Sequence, residues 1–305
     1  MARSLRRLAR LPDQIGRIVR HPLNRGQALP AMLRWGRWQM KTRLSPRLHV
    51  VPFVNGTKLY AKAGMAGVTG NIYYGLADYE EMAFFGHFLR PDELFADVGA
   101  NVGVYSVLAS GAIGARTAAF EPIASAADMI EANARLNGIE NRLMLHRSAV
   151  GDAPGTARMT TDCDTGNKVV ADDSADYLAS VEVPVVTLDA VFSGETPVAM
   201  KIDVEGYTAE VLGGAQTVLA SPGLQALTVE IFANAGKTQA RQRDLFEAVT
   251  GFGFTAMRYD PKARVLTAIE EPNTASDNTI FVKDFERTAE CLRTAPALNV
   301  NGQMI

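Results

Sequence analysis

From residue 94 onward, short apolar runs alternate with longer stretches whose apolar positions recur at helical spacing. Leu94–Asp97, Thr117–Phe120, Arg142–His146, Val198–Ile202 and Ala226–Val229 read as strands. Helices are predicted over 125–136, 207–220 and 238–250, stopped by Asn137-Gly138, Ser221-Pro222-Gly223 and Gly251. Phe254–Tyr259, Val265–Ile269 and Thr279–Val282 read as the last strands, and the polar stretch 153–187 as an insertion with β-like runs at 155–161 and 181–187. Such alternation predicts an α/β fold: a Rossmann-like, mostly parallel, doubly wound sheet with an antiparallel edge strand.

The first ninety residues follow another pattern. Residues 3–20 place Leu5, Leu8, Leu11, Ile15 and Ile18 at helical spacing, with Arg3, Arg6, Arg7, Arg10, Arg17 and Arg20 mostly elsewhere on the wheel. Pro12 should split or kink that helix. Residues 28–44 repeat the pattern through Leu29, Leu33, Gly36, Met40 and Leu44, joined by Trp35 and Trp38. Asn55-Gly56, between His49–Val54 and Thr57–Ala61, predicts a hairpin. Gly64–Gly75 is glycine-rich, and Asp78–Leu89 should be a helix ending at Arg90-Pro91. The expected divisions are a basic amphipathic extension (1–48), a hairpin and helix able to cap a substrate (49–92), the α/β domain (93–285) and a tail (286–305).

Charge sharpens this division. Residues 1–50 hold twelve Lys/Arg against one acid, Asp13, and the rest of the 305 residues hold nineteen against thirty-two. A basic extension thus precedes an acidic body. The extension should either lie on an anionic membrane surface or pack on the body or a second subunit. Nucleic acid is not an expected partner, since the body is acidic and carries no recognised motif. Cys163 and Cys291 are far apart and form no metal-spacing pattern. No long uninterrupted apolar run is present. The expected place is the cytoplasm, at the inner face of a membrane if the extension docks there.

The candidate chemistry gathers at strand ends. Asp97-Val-Gly99-Ala-Asn101-Val-Gly103 joins the first strand of the α/β region to a helix start. A dinucleotide loop would need glycine where Asn101 and Val104 stand, and no Gly-Lys-Ser/Thr follows for a phosphate loop. A nucleoside-type ligand without phosphates fits better, and S-adenosylmethionine has the required diol, adenine, amine and sulfonium. Glu121 lies 24 positions after Asp97, near the separation expected for a ribose-binding acid. Ser148 and Asp152, Asp203 and Glu205, and Glu230 occupy the remaining strand ends. These ends share one edge of a doubly wound sheet.

Asp97–Gly103, Phe120-Glu121-Pro122, Asn133–Asn137 and Lys201-Ile-Asp-Val-Glu-Gly-Tyr207 resemble the FkbM family of S-adenosylmethionine-dependent methyltransferases, over about residues 70–285. The resemblance implies a class I methyltransferase fold and O-methylation, often of sugar hydroxyls. Asn71-Ile-Tyr-Tyr-Gly-Leu76 also resembles a glycan-associated branch, which often has His-Glu where Ala77-Asp78 stands and Asn-His where Asn167-Lys168 stands.

The expected cofactor-binding residues are Asp97, Gly99, Asn101, Gly103, Glu121, Pro122, Ser148 and Asp152, with Asp97 near the cofactor amine. Attack by a hydroxyl needs a base. Asp203 is the first candidate, Glu205 the second and His146 the third. Lys201 should hold or balance the carboxylates, and Glu230 should orient the acceptor. Alternatively, Asp203, Glu205 and Glu230 could bind Mg²⁺, although no His cluster supports a transition metal. The expected acceptor is a small molecule or glycan, and a homo-oligomer is compatible with the sequence. Two other readings stand beside sugar or polyol O-methylation: transfer to an amide or carboxyl, and a non-catalytic binding protein on the same fold.

Overall fold

The computed structural model describes residues 11–161, 180–231 and 239–305. Arg3 to Arg10, Cys163 and Asn167-Lys168 lie outside them. The first hairpin pairs β1 (His49–Pro52) with β2 (Lys58–Ala61). The central sheet takes β3 (Leu94–Val98), β4 (Arg116–Phe120) and β5 (Leu143–His146) from the first half of the α/β region. The insertion adds a small separate sheet of β6 (Ala149–Val150), β7 (Gly155–Thr160) and β8 (Ser180–Val186). The central sheet continues with β9 (Ala199–Ile202), β10 (Ala226–Glu230), β11 (Thr255–Asp260), β12 (Val265–Ala268) and β13 (Asn278–Val282).

The eight strands lie in the order β12-β11-β13-β10-β9-β3-β4-β5. From β5 to β10 all neighbours are parallel, while β13 runs antiparallel to both β10 and β11, and β12 antiparallel to β11. The expected mostly parallel sheet is present, with two reversed strands rather than one. The chain winds outward from β3 through β4 to β5, then returns to β9 beside β3. The winding therefore switches direction between β3 and β9, where open α/β sheets bind ligands.

Apolar alternation builds a core on each face. Phe95, Ala226, Ile280 and Val282 join one cluster, while Leu94, Ala96, Val98, Leu227 and Phe281 join the other. β3, β9, β10 and β13 are buried along their whole length, whereas β12 buries only Leu266. This explains why the central strands read as continuous apolar runs.

The first core cluster also takes in Ile18, Leu23, Ala31 and Trp38 of the basic extension and Leu292, Leu298, Val300 and Ile305 from the C-terminus. Buried Asn24 ties the extension down: its amide donates to the carbonyls of Ile18 (2.8 Å) and Tyr73 (3.1 Å). The C-terminal residues form a helix, Phe285–Thr294, and a hairpin of Asn299–Val300 with Gln303–Met304.

Two helices differ from the sequence pattern. Ala66–Tyr74 is helical despite Gly67 and Gly70. The segment expected as one helix over 207–220 is two, Thr208–Gly213 and Gln216–Ala220. A β-carbon on Gly214 would lie 2.0 Å from the Gly151 carbonyl oxygen. Here the chain turns against the end of β6 and cannot continue as one straight helix. Tyr79–Phe88 is helical as expected and buried from Glu81 to Phe88, far more than one face.

Candidate active site

The loop after β3 is strapped to the end of β4. The amides of Gly99 and Ala100 both donate to the Phe120 carbonyl, at 3.1 and 3.0 Å. The Asn101 amide donates to Glu121 Oε2 and the Ile123 amide to Glu121 Oε1, each at 2.9 Å. Asn101 takes a φ of 51°, a region that asparagine tolerates better than most residues. Gly99 has a φ of 79°, and a β-carbon there would lie 2.0 Å from the Asp203 carbonyl oxygen. Glycine is thus demanded by the approach of the β9 loop, whereas the sequence suggested the approach of a ligand. At Gly103 an added β-carbon would meet Ile130 at 3.2 Å.

A cleft of about 300 Å³ opens over the switch between β3 and β9. One half is lined by the glycine loop, Phe120, Glu121, Pro122, Ile123, Ser148 and Val150. The other half is acidic, lined by Asp78, Asp203, Glu205, Glu230 and Asp277 together with Lys201.

Lys201 is the centre of that acidic half. It is buried, and its Nζ stands 2.9 Å from Asp203 Oδ2 and 4.9 Å from the centre of the Tyr105 ring. Burial alone would push its ammonium down, but Asp203, Asp97 and Asp78 outweigh this and hold it above its ordinary value. The Tyr105 hydroxyl donates to Asp78 Oδ2 at 2.9 Å. Burial, then Asp203, raises the Asp78 carboxyl above the usual range against the pull of Tyr105 and Lys201. Behind it, Glu81 accepts a hydrogen bond from Ser276 and is pushed up to about 8, chiefly by burial and then by Asp78.

The expected site residues divide into two groups. Gly99, Asn101, Glu121, Pro122, Ser148, Lys201, Asp203 and Glu205 line the cleft together. Asp97 lies beneath it, fully buried, with Oδ2 accepting from Ser106 at 2.7 Å and Oδ1 unpartnered. Burial raises its carboxyl, and Lys201 and Ser106 act against that. His146 is stacked on Phe120 with ring centres 4.6 Å apart, and Asp152 is exposed; neither joins the cleft wall. Gly103 is likewise outside the wall.

Burial pushes Glu121 up to about 7, with the Ile123 and Asn101 amides pulling the other way. Ser148 Oγ and Asn278 Oδ1 are buried in the wall with no hydrogen-bond partner. Ser148 Oγ, beside the glycine-loop half, is an atom a polar nucleoside ligand would satisfy, while Asn278 stands next to Glu230 in the acidic half. No group of three or more His, Cys, Asp and Glu residues suited to a metal occurs among the described residues.

Sequence reasoning assigned no role to Asp78, Tyr105, Asp277 or Asn278. Asn278 was reachable in principle. It pairs with Glu230 in the antiparallel register of β13, so the start of the reversed strand meets the carboxyl ends of the parallel ones. Asp78 had a weaker signal, as the residue standing where related sequences often carry glutamate.

The chain matches the family model described as the methyltransferase FkbM domain over residues 97–256. The chain belongs to the FkbM methyltransferase family. The matched span runs from Asp97 through the glycine loop, Glu121 and the Lys201–Tyr207 segment into β11. No curated protein is significantly similar to the chain. Solved structures that resemble this FkbM protein include an rRNA methylase from Streptococcus thermophilus (15% identity, TM-score 0.39, covering 67% of this chain and 93% of that one). Another is the C-terminal domain of precorrin-6Y C5,15-methyltransferase from Rhodobacter capsulatus (16%, 0.37, 65% and 84%). A third is SMU.1697c from Streptococcus mutans in complex with SAH (14%, 0.38, 66% and 94%).

Proposed function

We propose that this FkbM methyltransferase uses S-adenosylmethionine to methylate a hydroxyl of a neutral sugar or polyol, with Asp203 as the general base. The observation that carries the reading is the division of one cleft into a glycine-loop half and an acidic half that meet at Lys201 and Asp203.

The residues present suit the cofactor. Glu121 retains lone pairs for a ribose diol beyond its two amide bonds, and Ser148 brings an unsatisfied hydroxyl. S-adenosylmethionine, when bound, supplies a methyl group on a sulfonium, a leaving group that needs no protonation.

The remaining work falls to the chain. Lys201 engages one oxygen of Asp203 and fixes the carboxylate, leaving the other oxygen to take the hydroxyl proton as the acceptor attacks. Asp78, held by Tyr105, and Glu230 are placed to accept hydrogen bonds from further acceptor hydroxyls and so orient the attack. Five carboxylates against one lysine in this half of the wall disfavour an anionic acceptor, which weighs against a carboxyl substrate. Glu205 is the second candidate for the base; the position of His146 outside the wall ranks it below both.

The test is transfer of labelled methyl from S-adenosylmethionine to a panel of neutral sugars, polyols, amides and carboxylates. Neutral hydroxyl acceptors should be labelled, and Asp203→Asn should lower kcat by roughly 10²- to 10⁴-fold with cofactor affinity kept. Labelling confined to carboxylates or amides, or full activity in Asp203→Asn, would overturn the assignment.

A further inference from the structure

The Ala28–Leu44 helix has two apolar sides, and the fold uses one of them. Ala31, Trp38 and Thr42 are buried against the body, and Trp35 is packed there in part. Both tryptophans of the helix therefore turn inward. On the opposite side Leu29, Leu33, Met40 and Leu44 are exposed by 71%, 50%, 59% and 79%. At 100° per residue these four fall within one narrow stripe, about 60° wide. Arg43 borders the stripe on one side and Arg37 and Lys41 on the other, all exposed.

An apolar stripe flanked by cations on both sides restricts what can cover it. From Gln14 to Ala77 the chain has ten Lys/Arg and no acid, so the cations have no carboxylate nearby in sequence. A two-fold dimer through this face would set Arg37, Lys41 and Arg43 of one copy against those of the other. A head-to-tail contact with the acidic body of a second copy would pair the cations but leave the four apolar side chains facing a charged surface.

We propose that this face docks on an anionic lipid surface, with Leu29, Leu33, Met40 and Leu44 entering the headgroup boundary and Arg37, Lys41 and Arg43 reaching up to lipid phosphates. Leucine and methionine supply the buried apolar area, and the long basic side chains keep their charges among the headgroups. The docking is peripheral: no described helix is long and apolar enough to cross a membrane. It is independent of the methyl-transfer assignment, because none of these residues lines the cleft.

The experiment is cosedimentation of the full chain with vesicles of phosphatidylcholine alone or mixed with phosphatidylglycerol. The protein should pellet with the anionic vesicles only and dissociate as salt is raised. R37Q/K41Q/R43Q should lower partitioning about a hundredfold, at about fivefold for each cation removed. L29S/L33S/M40S/L44S should abolish it. Both variants alter exposed side chains and should keep the wild-type circular dichroism. Failure to pellet, or equal pelleting of wild type and both folded variants, would overturn the proposal. So would concentration-dependent self-association abolished by the serine variant without any lipid binding, which would assign the face to a second copy.

Discussion

Glu81 shows what a single residue contributes behind the cleft. Burial, then Asp78, pushes its carboxyl up from 4.5 to about 8. Between those values the folded protein holds a proton that the unfolded chain has released. The stabilisation is complete below about 4.5 and is lost as pH rises through 8. Glu121, raised to about 7, acts in the same direction. Glu81→Gln keeps an acceptor for Ser276 and cannot ionise. It should match wild type at about pH 5 and exceed it by a few kcal/mol at about pH 9, read by urea denaturation. A variant weaker than wild type at the alkaline end would mean that the charged carboxylate is favoured in the fold. Residue types at strand ends are legible in the sequence: Glu121, Lys201, Asp203 and Glu205 stand out there and all line the cleft. Reasons were less legible. Gly99 faces a carbonyl oxygen of its own chain, and a sequence holds no direct record of which backbone approaches a glycine.

At the scale of elements, the central strands were legible because a strand buried on both faces must be apolar throughout. The helix at Ala66–Tyr74 was not, since glycine lowers helix propensity and its stability comes from packing of Val68, Asn71 and Tyr73. The break within 207–220 was hidden for a related reason. Gly213 and Gly214 weaken the helix there, and the turn is imposed by the Gly151 carbonyl oxygen, just past β6, lying 2.0 Å from where a β-carbon of Gly214 would be. Gly214→Ala should therefore destabilise the protein by about 1–3 kcal/mol through overpacking against backbone that cannot yield. Gly194→Ala, with nothing within 4 Å of its added carbon, should stay within about 0.5 kcal/mol of wild type. Chemical denaturation of the pair checks this, and equal effects at both positions would discount the contact.

At the scale of the molecule, one apolar cluster joins the basic extension, the helix at Tyr79–Phe88, the central sheet and the C-terminal hairpin. The extension's inner face is thus part of the core, while its outer face presents a cationic, apolar stripe. The acidic cleft lies over the switch point of the same sheet, and its wall draws on both the helical preface (Asp78) and the reversed strand (Asn278). The sequence foretold one acidic edge because strand order and strand ends follow from alternation. It did not foretell those two additions, which depend on where a capping helix and an antiparallel strand come to rest. The claim on which the rest depends is that this cleft seats S-adenosylmethionine. Isothermal titration of wild type, Glu121→Ala and Ser148→Ala with S-adenosylmethionine tests it most directly. Wild type should show one site and folded Glu121→Ala binding at least about tenfold weaker, with a smaller loss in Ser148→Ala as one hydrogen bond goes. Absence of binding to wild type, or unchanged affinity in both variants, would contradict it.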